Sequence, residues 1–258
     1  MGYDYENFKQ DVYKLININL TLYKERQMKR RIESLMSRNK FKNFLDYFNA
    51  LKKDDRLLSE FVSYLTINVS EFYRNPNQWI LFENKIIPYL IDRFGKRLRI
   101  WSAACSTGDE PYTIAMILEK HLPVEQIKIY ATDIDEDVLR YAREGFYAER
   151  SLERLPKELL KRHFIKSEKG YRINDNIKRC VEFSKHNLLE DKYPGDIHMI
   201  VCRNVVIYFT DEAKNYVYSN FNRTLVQDGI LFIGNTEQII HADELGFSAM
   251  ESFFYQKM

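Results

Sequence analysis

Cysteine, glycine and proline are all scarce in this 258-residue chain, and each scarcity excludes something. The 3 cysteines, Cys105, Cys180 and Cys202, are far apart and form no C-x-x-C pair. That speaks against a disulfide framework or a zinc site and fits a reducing compartment. The five histidines, His121, His163, His186, His198 and His241, show no metal-ligand spacing either, so no metal is expected. Only 9 glycines are present and none stands in G-x-G-x-x-G, which removes the usual dinucleotide fingerprint. No proline precedes Pro76 and no glycine other than Gly2 precedes Gly95, so the first part of the chain must join its helices through short polar segments. No apolar run approaches the ~18 residues that span a bilayer. The start, MGYDYENFKQ, is polar and lacks a signal-peptide core. A net charge of +2 shows no bias of the whole chain toward polyanions. A soluble, cytoplasmic protein is expected.

The stretch from Arg97 to Leu118, RLRIWSAACSTGDEPYTIAMIL, organises the rest. Leu98–Ala104 is apolar enough for a buried strand, and Ile114, Ile117 and Leu118 follow helical spacing after Pro111, which suits a first helical turn. Between them lies a turn of small residues containing Gly108. Strand, tight turn and helix put a ligand site at the carboxyl end of a strand, where open α/β sheets bind nucleotides. Asp109 and Glu110 on that turn would repel a pyrophosphate. A nucleoside that carries positive charge, such as S-adenosylmethionine, suits it better. The plainer reading is that two acids in a first turn favour the helix dipole.

Around this centre, residues 1–66 read as helices. Their apolar faces are Phe8/Val12/Leu15/Ile16, Met28/Ile32/Leu35/Met36, Phe41/Phe44/Leu45/Phe48/Leu51 and Leu57/Leu58/Phe61/Val62/Leu65. The second helix is basic: Lys24 to Lys42 holds eight cations against Glu25 and Glu33. A solvated face explains such a run, and so does docking on an acidic partner. With no aromatics interleaved, an acidic protein is favoured over nucleic acid. Residues 67–76 form a linker in which Asn68, Ser70 and Arg74 can project to one site, while Ser70 or Asn75 can instead serve as helix caps. Pro76 then opens a helix that runs up to Pro88.

Ile127–Thr132 reads as a second strand ending at Asp133, 25 residues beyond Gly108, the position of a ribose-binding carboxylate. Asp135 and Gly145 bracket the next helix. Residues 146–182 break the alternation of strand and helix. There 169–173 and 177–183 alternate like a β-hairpin, giving a small antiparallel insertion. His186–Leu189 forms a loop placed to meet an adenine, with His186 read as an exposed loop histidine. Arg203 and Asn204 end the strand 197–202, and Tyr208 lies four residues on, over the same crevice. Thr210 caps a helix, a turn at 227–229 leads into a strand, and Phe247–Tyr255 reads as one final edge strand.

Six ordered blocks, TINVSEFYRNP, WSAACSTGDEPYTIA, ATDIDEDVL, FSKHNLL, CRNVVIYF and DGILFIGNTE, resemble those of the chemotaxis receptor glutamate methyltransferases, the CheR family. The resemblance spans the chain. Ser70 stands where Thr is usual, Tyr73 for Phe, Asp109 for Glu, and Cys105 among small residues. It implies a Rossmann-like class I methyltransferase sheet at 77–258, with a small all-α N-terminal domain and the antiparallel insertion. It also implies methyl transfer from S-adenosylmethionine to receptor glutamates, yielding glutamyl methyl esters and S-adenosylhomocysteine. The cofactor would touch Asn68, Ser70, Arg74, Glu110, Asp133, Asn187, Leu188, Arg203 and Asn204, with Arg74 and Tyr208 nearest the methyl. Arg26, Lys29, Arg30 and Arg31 would dock on acidic receptor helices, the protein acting as a monomer that meets the membrane only through its receptor. The loop Lys166–Gly170 is short and lacks extra glycines, which argues against gripping a receptor tail. Two rivals differ in what they require: an RNA or protein-amine methyltransferase wants an amine motif such as N-P-P-Y, and a cofactor-sensing module wants gaps in the cofactor blocks. The sequence has neither.

Overall fold

The structure is a computed structural model describing residues 3–258, so Gly2 and the first residue of the polar start lie outside the described residues. The chain divides into two compact units: residues 3–68 with 206–215, and residues 69–205 with 216–258.

The first unit is helical. It holds α1 (Tyr5–Ile16), α2 (Glu25–Arg38), α3 (Phe44–Leu51) and α4 (Asp55–Thr66). Asp4 and Asn7 form a reciprocal capping box on α1, and Asn43 and Asp54 cap α3 and α4. Where glycine is missing, Asn17, Lys40 and Ile67 take the left-handed conformation that ends or redirects the chain. Phe8, fully buried, is the centre of the core: the rings of Phe44, Phe61, Tyr47 and Phe48 lie 5.1, 5.9, 6.2 and 6.4 Å from it.

The second unit opens with α5 (Pro76–Leu81), a π turn (Phe82–Ile86) and α6 (Ile87–Phe94). The helical path thus continues past Pro88 instead of stopping there. The π turn widens the coil where the proline ring would meet the carbonyl four residues back. Then come β1 (Arg99–Ala103), α7 (Asp109–Leu118), β2 (Lys128–Asp133) and α8 (Glu136–Glu144), the last capped by Asp135 and closed by left-handed Gly145. β3 (Phe146–Tyr147), α9 (Lys157–His163), β4 (Phe164–Ser167), β5 (Gly170–Ile173) and α10 (Asp175–Lys178) follow. The chain closes with β6 (Val181–Lys185), β7 (Ile197–Cys202), α11 (Asp211–Thr224), β8 (Leu225–Ile233), β9 (Phe247–Glu251) and β10 (Phe254–Lys257).

Seven strands form one sheet in the order β6-β2-β1-β7-β8-β10-β9. β10 runs antiparallel to both its neighbours and the other pairings are parallel, so this is the expected Rossmann-like sheet. From β1 the chain builds outward to β2 and β6, then returns to place β7 on β1's other side. The carboxyl ends of β1 and β7 are therefore the switch point where such sheets open a crevice.

The antiparallel insertion is present as a three-stranded sheet, β3-β5-β4, but its hairpin is β4–β5. Residues 177–183 are not its second strand. Asn174 caps α10 by accepting from the Ile177 N–H (3.0 Å), and 181–185 pairs in parallel with β2 as the edge of the main sheet. The C-terminal stretch is likewise two strands, folded back through Phe253 at φ 69°. Among the described residues no helix is long and apolar enough to cross a membrane, and no group of three or more His, Cys, Asp or Glu could hold a metal ion.

Candidate functional site

At the switch point lies a cleft with about 360 Å³ of empty space. Its lining comes from three loops: the segment before α5 (Ser70, Glu71, Arg74), the β1–α7 turn (Ala104–Ser106, with Glu110 on α7) and the residues after β7 (Arg203, Asn204). Around it five non-glycine residues, Tyr73, Asn75, Ala104, Ser106 and Asn204, hold φ between 49° and 61°. Left-handed backbone costs on the order of 1–3 kcal/mol per residue and persists only where surroundings enforce it, a concentration typical of working sites.

Gly108 makes the turn after β1 possible. It has φ 87°, and a Cβ there would lie 2.9 Å from the Ala142 Cβ. Asp109 and Glu110 then part company. Asp109 turns inward, buried, with the Thr107 hydroxyl donating to it at 2.5 Å and Ser70 also hydrogen-bonded to it; burial pushes its carboxyl up to about 6. Glu110 alone faces the cleft. Ser102 donates to its Oε1 (2.8 Å) and Arg203 Nη1 lies 3.6 Å from Oε2. Burial raises Glu110, while Arg203 and Ser102 oppose the rise.

Arg203 is less a surface ligand than an interior clamp. Its Nη2 donates to the Arg74 carbonyl (2.9 Å), Asn75 Oδ1 (3.1 Å) and Gln78 Oε1 (2.6 Å), and its guanidinium lies over the rings of Phe232 (4.8 Å) and Trp79 (5.1 Å). Burial lowers its pKa and Glu110 opposes that. Asn75, considered above as a cap, makes no side-chain cap and serves Arg203 instead. Arg74, half-buried, bends back so that Nη1 donates to the Val69 carbonyl (3.1 Å).

Asp133 stands at the end of β2, behind the turn. It accepts from the backbone N–H of Ser106 (2.8 Å) and of Asp135 (3.0 Å), and burial raises its carboxyl to about 6. Asn187 folds its own loop, its Oδ1 accepting from the Leu189 N–H (3.0 Å), and Leu188 is buried with its carbonyl accepting from Tyr193. Neither lines the cleft. His186 is not exposed: its side chain is 10% accessible and its ring packs edge-on against Trp101 (5.4 Å) and Tyr193 (5.5 Å). Burial lowers its pKa, and Asp191 opposes the shift.

The structure thus gathers Ser70, Arg74, Glu110, Arg203 and Asn204, with Asp133 adjoining through Ser106. Asn68 and Tyr208 belong to the helical unit. The Asn68 amide donates to Thr66 Oγ1 (2.8 Å), and the Tyr208 carbonyl accepts from the Lys24 N–H (2.9 Å). On α2, Arg26 and Arg30 are exposed. Lys29 lies over the Tyr5 ring at 5.3 Å, and Arg31, half-buried, is also tied to α4, donating to the Tyr64 carbonyl (2.6 Å) and stacking on its ring (4.5 Å).

Sequence reasoning missed Glu237. Buried, it accepts from the N–H groups of Asn204 (2.8 Å), Val205 (2.9 Å) and Gly234 (2.7 Å), fixing the loop that carries Asn204. The only signal was an acid three residues beyond Gly234, the glycine that follows β8.

Two buried oxygens at the cleft, Asn204 Oδ1 and Ser106 Oγ, have no hydrogen-bond partner. With the Glu110 carboxylate they make a wall rich in acceptors, suited to a ligand bearing an ammonium group and hydroxyls and unsuited to a phosphate.

A family model described as CheR methyltransferase, SAM binding domain, matches residues 68–254, and one described as CheR methyltransferase, all-alpha domain, matches residues 3–66. A chemotaxis protein methyltransferase of Listeria innocua is 42% identical over 254 residues, covering 98% of this chain and 97% of the relative. One of Borreliella burgdorferi is 36% identical over 241 residues (88% and 85%), and one of Escherichia coli is 31% identical over 252 (93% and 85%).

Proposed function

We propose how this chain, which belongs to the CheR methyltransferase family, carries out its reaction. It is an S-adenosylmethionine-dependent methyltransferase, and our reading is that its acceptors are glutamate side chains on the cytoplasmic helices of chemoreceptors. The observation that carries the reading is the acceptor-rich wall of Glu110, Asn204 Oδ1 and Ser106 Oγ at the sheet's switch point.

In this reading Glu110, Asn204 and Ser70 meet the amino-acid end of the donor, and Asp133 takes the ribose hydroxyls on lone pairs its backbone bonds leave open. Asn187 and Leu188 border the adenine, and Asn68 touches the donor. Arg203 acts chiefly by holding Arg74, Asn75 and the start of α5 in place. When bound, S-adenosylmethionine supplies an electrophilic methyl, which passes to a glutamate oxygen as the C–S bond breaks and a C–O bond forms. A glutamate with a pKa near ~4.3 is already ionised at neutral pH, so no general base is required of the protein. That fits a protein in which His186 is packed against Trp101 and Tyr193 away from the cleft and Cys105, its thiol pushed up by burial, is inert. What the residues supply is placement, which lowers the entropic part of the barrier when reacting atoms are held near ~3 Å apart. Arg74 fixes a carboxylate and Tyr208 orients the methyl or the accepting oxygen. Residues 1–66 dock the receptor through Arg26, Lys29, Arg30 and Arg31, and 77–258 carry the transfer.

The test is transfer of labelled methyl to receptor-containing membranes. Base-labile label on the receptor is expected, lost with Arg74→Ala and reduced with Tyr208→Phe while donor affinity persists. Base-stable label would refute glutamate as acceptor. Near-normal turnover of both variants would remove the two residues from the chemistry.

A further inference from the structure

Within the helical unit, the residues that lead into the basic helix are tied by backbone to the segment bearing Tyr208. The Lys24 N–H donates to the Tyr208 carbonyl (2.9 Å) and the Thr210 N–H donates to the Leu22 carbonyl (2.9 Å). These two bonds bracket an antiparallel bridge between Tyr23 and Phe209, whose rings meet edge-on at 5.1 Å with Phe209 buried. In such a non-hydrogen-bonded pair the side chains approach most closely, so the two rings lock the register.

Both ends of the strap are themselves anchored. On one side Asn19 accepts from the Thr21 N–H (3.1 Å) and hydroxyl (2.6 Å), holding the turn Leu20–Leu22. On the other, Phe209 N–H donates to the Val206 carbonyl (3.0 Å) and Thr210 Oγ1 accepts from the Ala213 N–H at the start of α11 (3.2 Å). Lys24 is the shared link. Its N–H holds Tyr208, while its carbonyl accepts from Gln27 and Met28 (3.1 and 3.0 Å) and so begins α2. Arg26 is two residues further along. No side chain caps this helix start.

We propose that this strap is a positioning device: Leu22–Lys24 sets where Tyr208 sits, so that seating an acidic partner on α2 and orienting Tyr208 for methyl transfer are one event. Tyr23 and the Lys24 backbone are positioning groups and touch neither donor nor acceptor. The inference rests on the reading of Tyr208 and α2 given above.

Lys24 allows a clean test. Its φ of −58° suits proline and Tyr23 is extended, as a residue before proline must be, so Lys24→Pro removes the N–H without opposing the local fold. Lys24→Ala removes the charge and keeps the N–H. On receptor membranes kcat is expected to fall about tenfold in Lys24→Pro, the upper worth of one hydrogen bond. Lys24→Ala should keep at least about half of it, and calorimetric affinity for S-adenosylmethionine should stay within about twofold in both. Equal kcat in the two variants overturns the strap, whether both are normal or both impaired. If Lys24→Pro does not fold, Tyr23→Ala and Tyr23→Phe replace it: kcat lost in the first and rescued in the second supports the strap, and no difference overturns it. Tyr208→Phe is measured alongside. If it is impaired while the strap variants are normal, only the strap fails. If it is normal, the reading of Tyr208 fails and this inference with it.

Discussion

Replacing Arg203 with methionine separates two accounts of the site. If Arg203 is mainly a cofactor ligand, the change should abolish donor binding and leave the empty protein's stability alone. The structure argues otherwise. Arg203→Met removes the donor to three acceptors at 2.6–3.1 Å and strands the Glu110 carboxylate, whose side chain is only 13% accessible and keeps the Ser102 hydroxyl as its near partner. Breaking a buried ion pair from one side costs ~3–5 kcal/mol, because the remaining charge is left uncompensated. The three lost hydrogen bonds add to this, while a methionine packed between Trp79 and Phe232 recovers some apolar contact. A net loss near ~4 kcal/mol is a large share of the ~5–15 kcal/mol by which a protein is stable.

For a unit of this size each kcal/mol moves Tm by ~2–4 °C, so the ligand-free protein should melt about 10 °C lower by scanning calorimetry. Arg203→Lys keeps the charge but loses the fork that reaches several acceptors, and should fall between. Arg203→Met/Glu110→Gln should be more stable than the sum of its parts by ~1–3 kcal/mol, since the stranded charge is gone. A ligand-free Tm for Arg203→Met within about 2 °C of the parent, with donor binding lost, would refute the clamp and restore Arg203 as a plain ligand.

Glu237→Gln keeps the shape but turns an amide toward N–H groups that need acceptors. Donor affinity is expected to weaken about tenfold by calorimetry with a Tm loss of only a few degrees, and unchanged affinity would sink the assignment. Asp109 and Asp133 both titrate near 6 in the fold against 3.8 in an open chain, so the native state holds their protons more tightly. Their contribution to stability is therefore greatest below pH ~4 and is lost as pH rises from there to ~6, by up to ~3 kcal/mol each. Donor affinity should move the opposite way, falling as pH drops through 6 and Asp133 takes a proton; Asp133→Asn should be weak and flat with pH, and a parent Kd constant from pH 5 to 7 would contradict this. On α2, Arg26→Glu and Arg30→Glu should raise KM for receptor membranes and leave Tm unchanged, whereas Arg31→Glu should lower Tm as well because Arg31 is bonded to the Tyr64 carbonyl.

The sequence was most legible where a local pattern and its purpose coincide. The strand–turn–helix around Gly108, the end of β2 at Asp133 and the Asp135/Gly145 caps follow from periodicity and from residues whose local bonding is their whole role. It was least legible where a distant group decides. Asp109 reads as a turn carboxylate, but Thr107 and Ser70 draw it inward, and His186 reads as an exposed loop residue until Trp101 and Tyr193 enclose it. Seven alternating residues at 177–183 did not distinguish a hairpin from a helical turn followed by an edge strand; Asn174 as a cap was the overlooked cue. The C-terminal hairpin turns at Phe253 without a glycine, so nothing local announced it.

Those distant groups share a logic. Each of the three loops around the cleft is held by one buried charged side chain bound to backbone or amide groups. Arg203 holds the Arg74–Asn75 segment against Gln78 of α5, Asp133 holds the turn at Ser106, and Glu237 holds Asn204 and Val205. The same loops contain the left-handed residues Asn75, Ser106 and Asn204. Strain of ~1–3 kcal/mol per residue would relax if its clamp were removed, carrying the ligand-facing groups with it. The charges in this site therefore act first on the protein's own backbone. On the function we propose, their contribution to methyl transfer is the geometry they enforce, which is what a reaction between an ionised carboxylate and a reactive methyl requires of its enzyme.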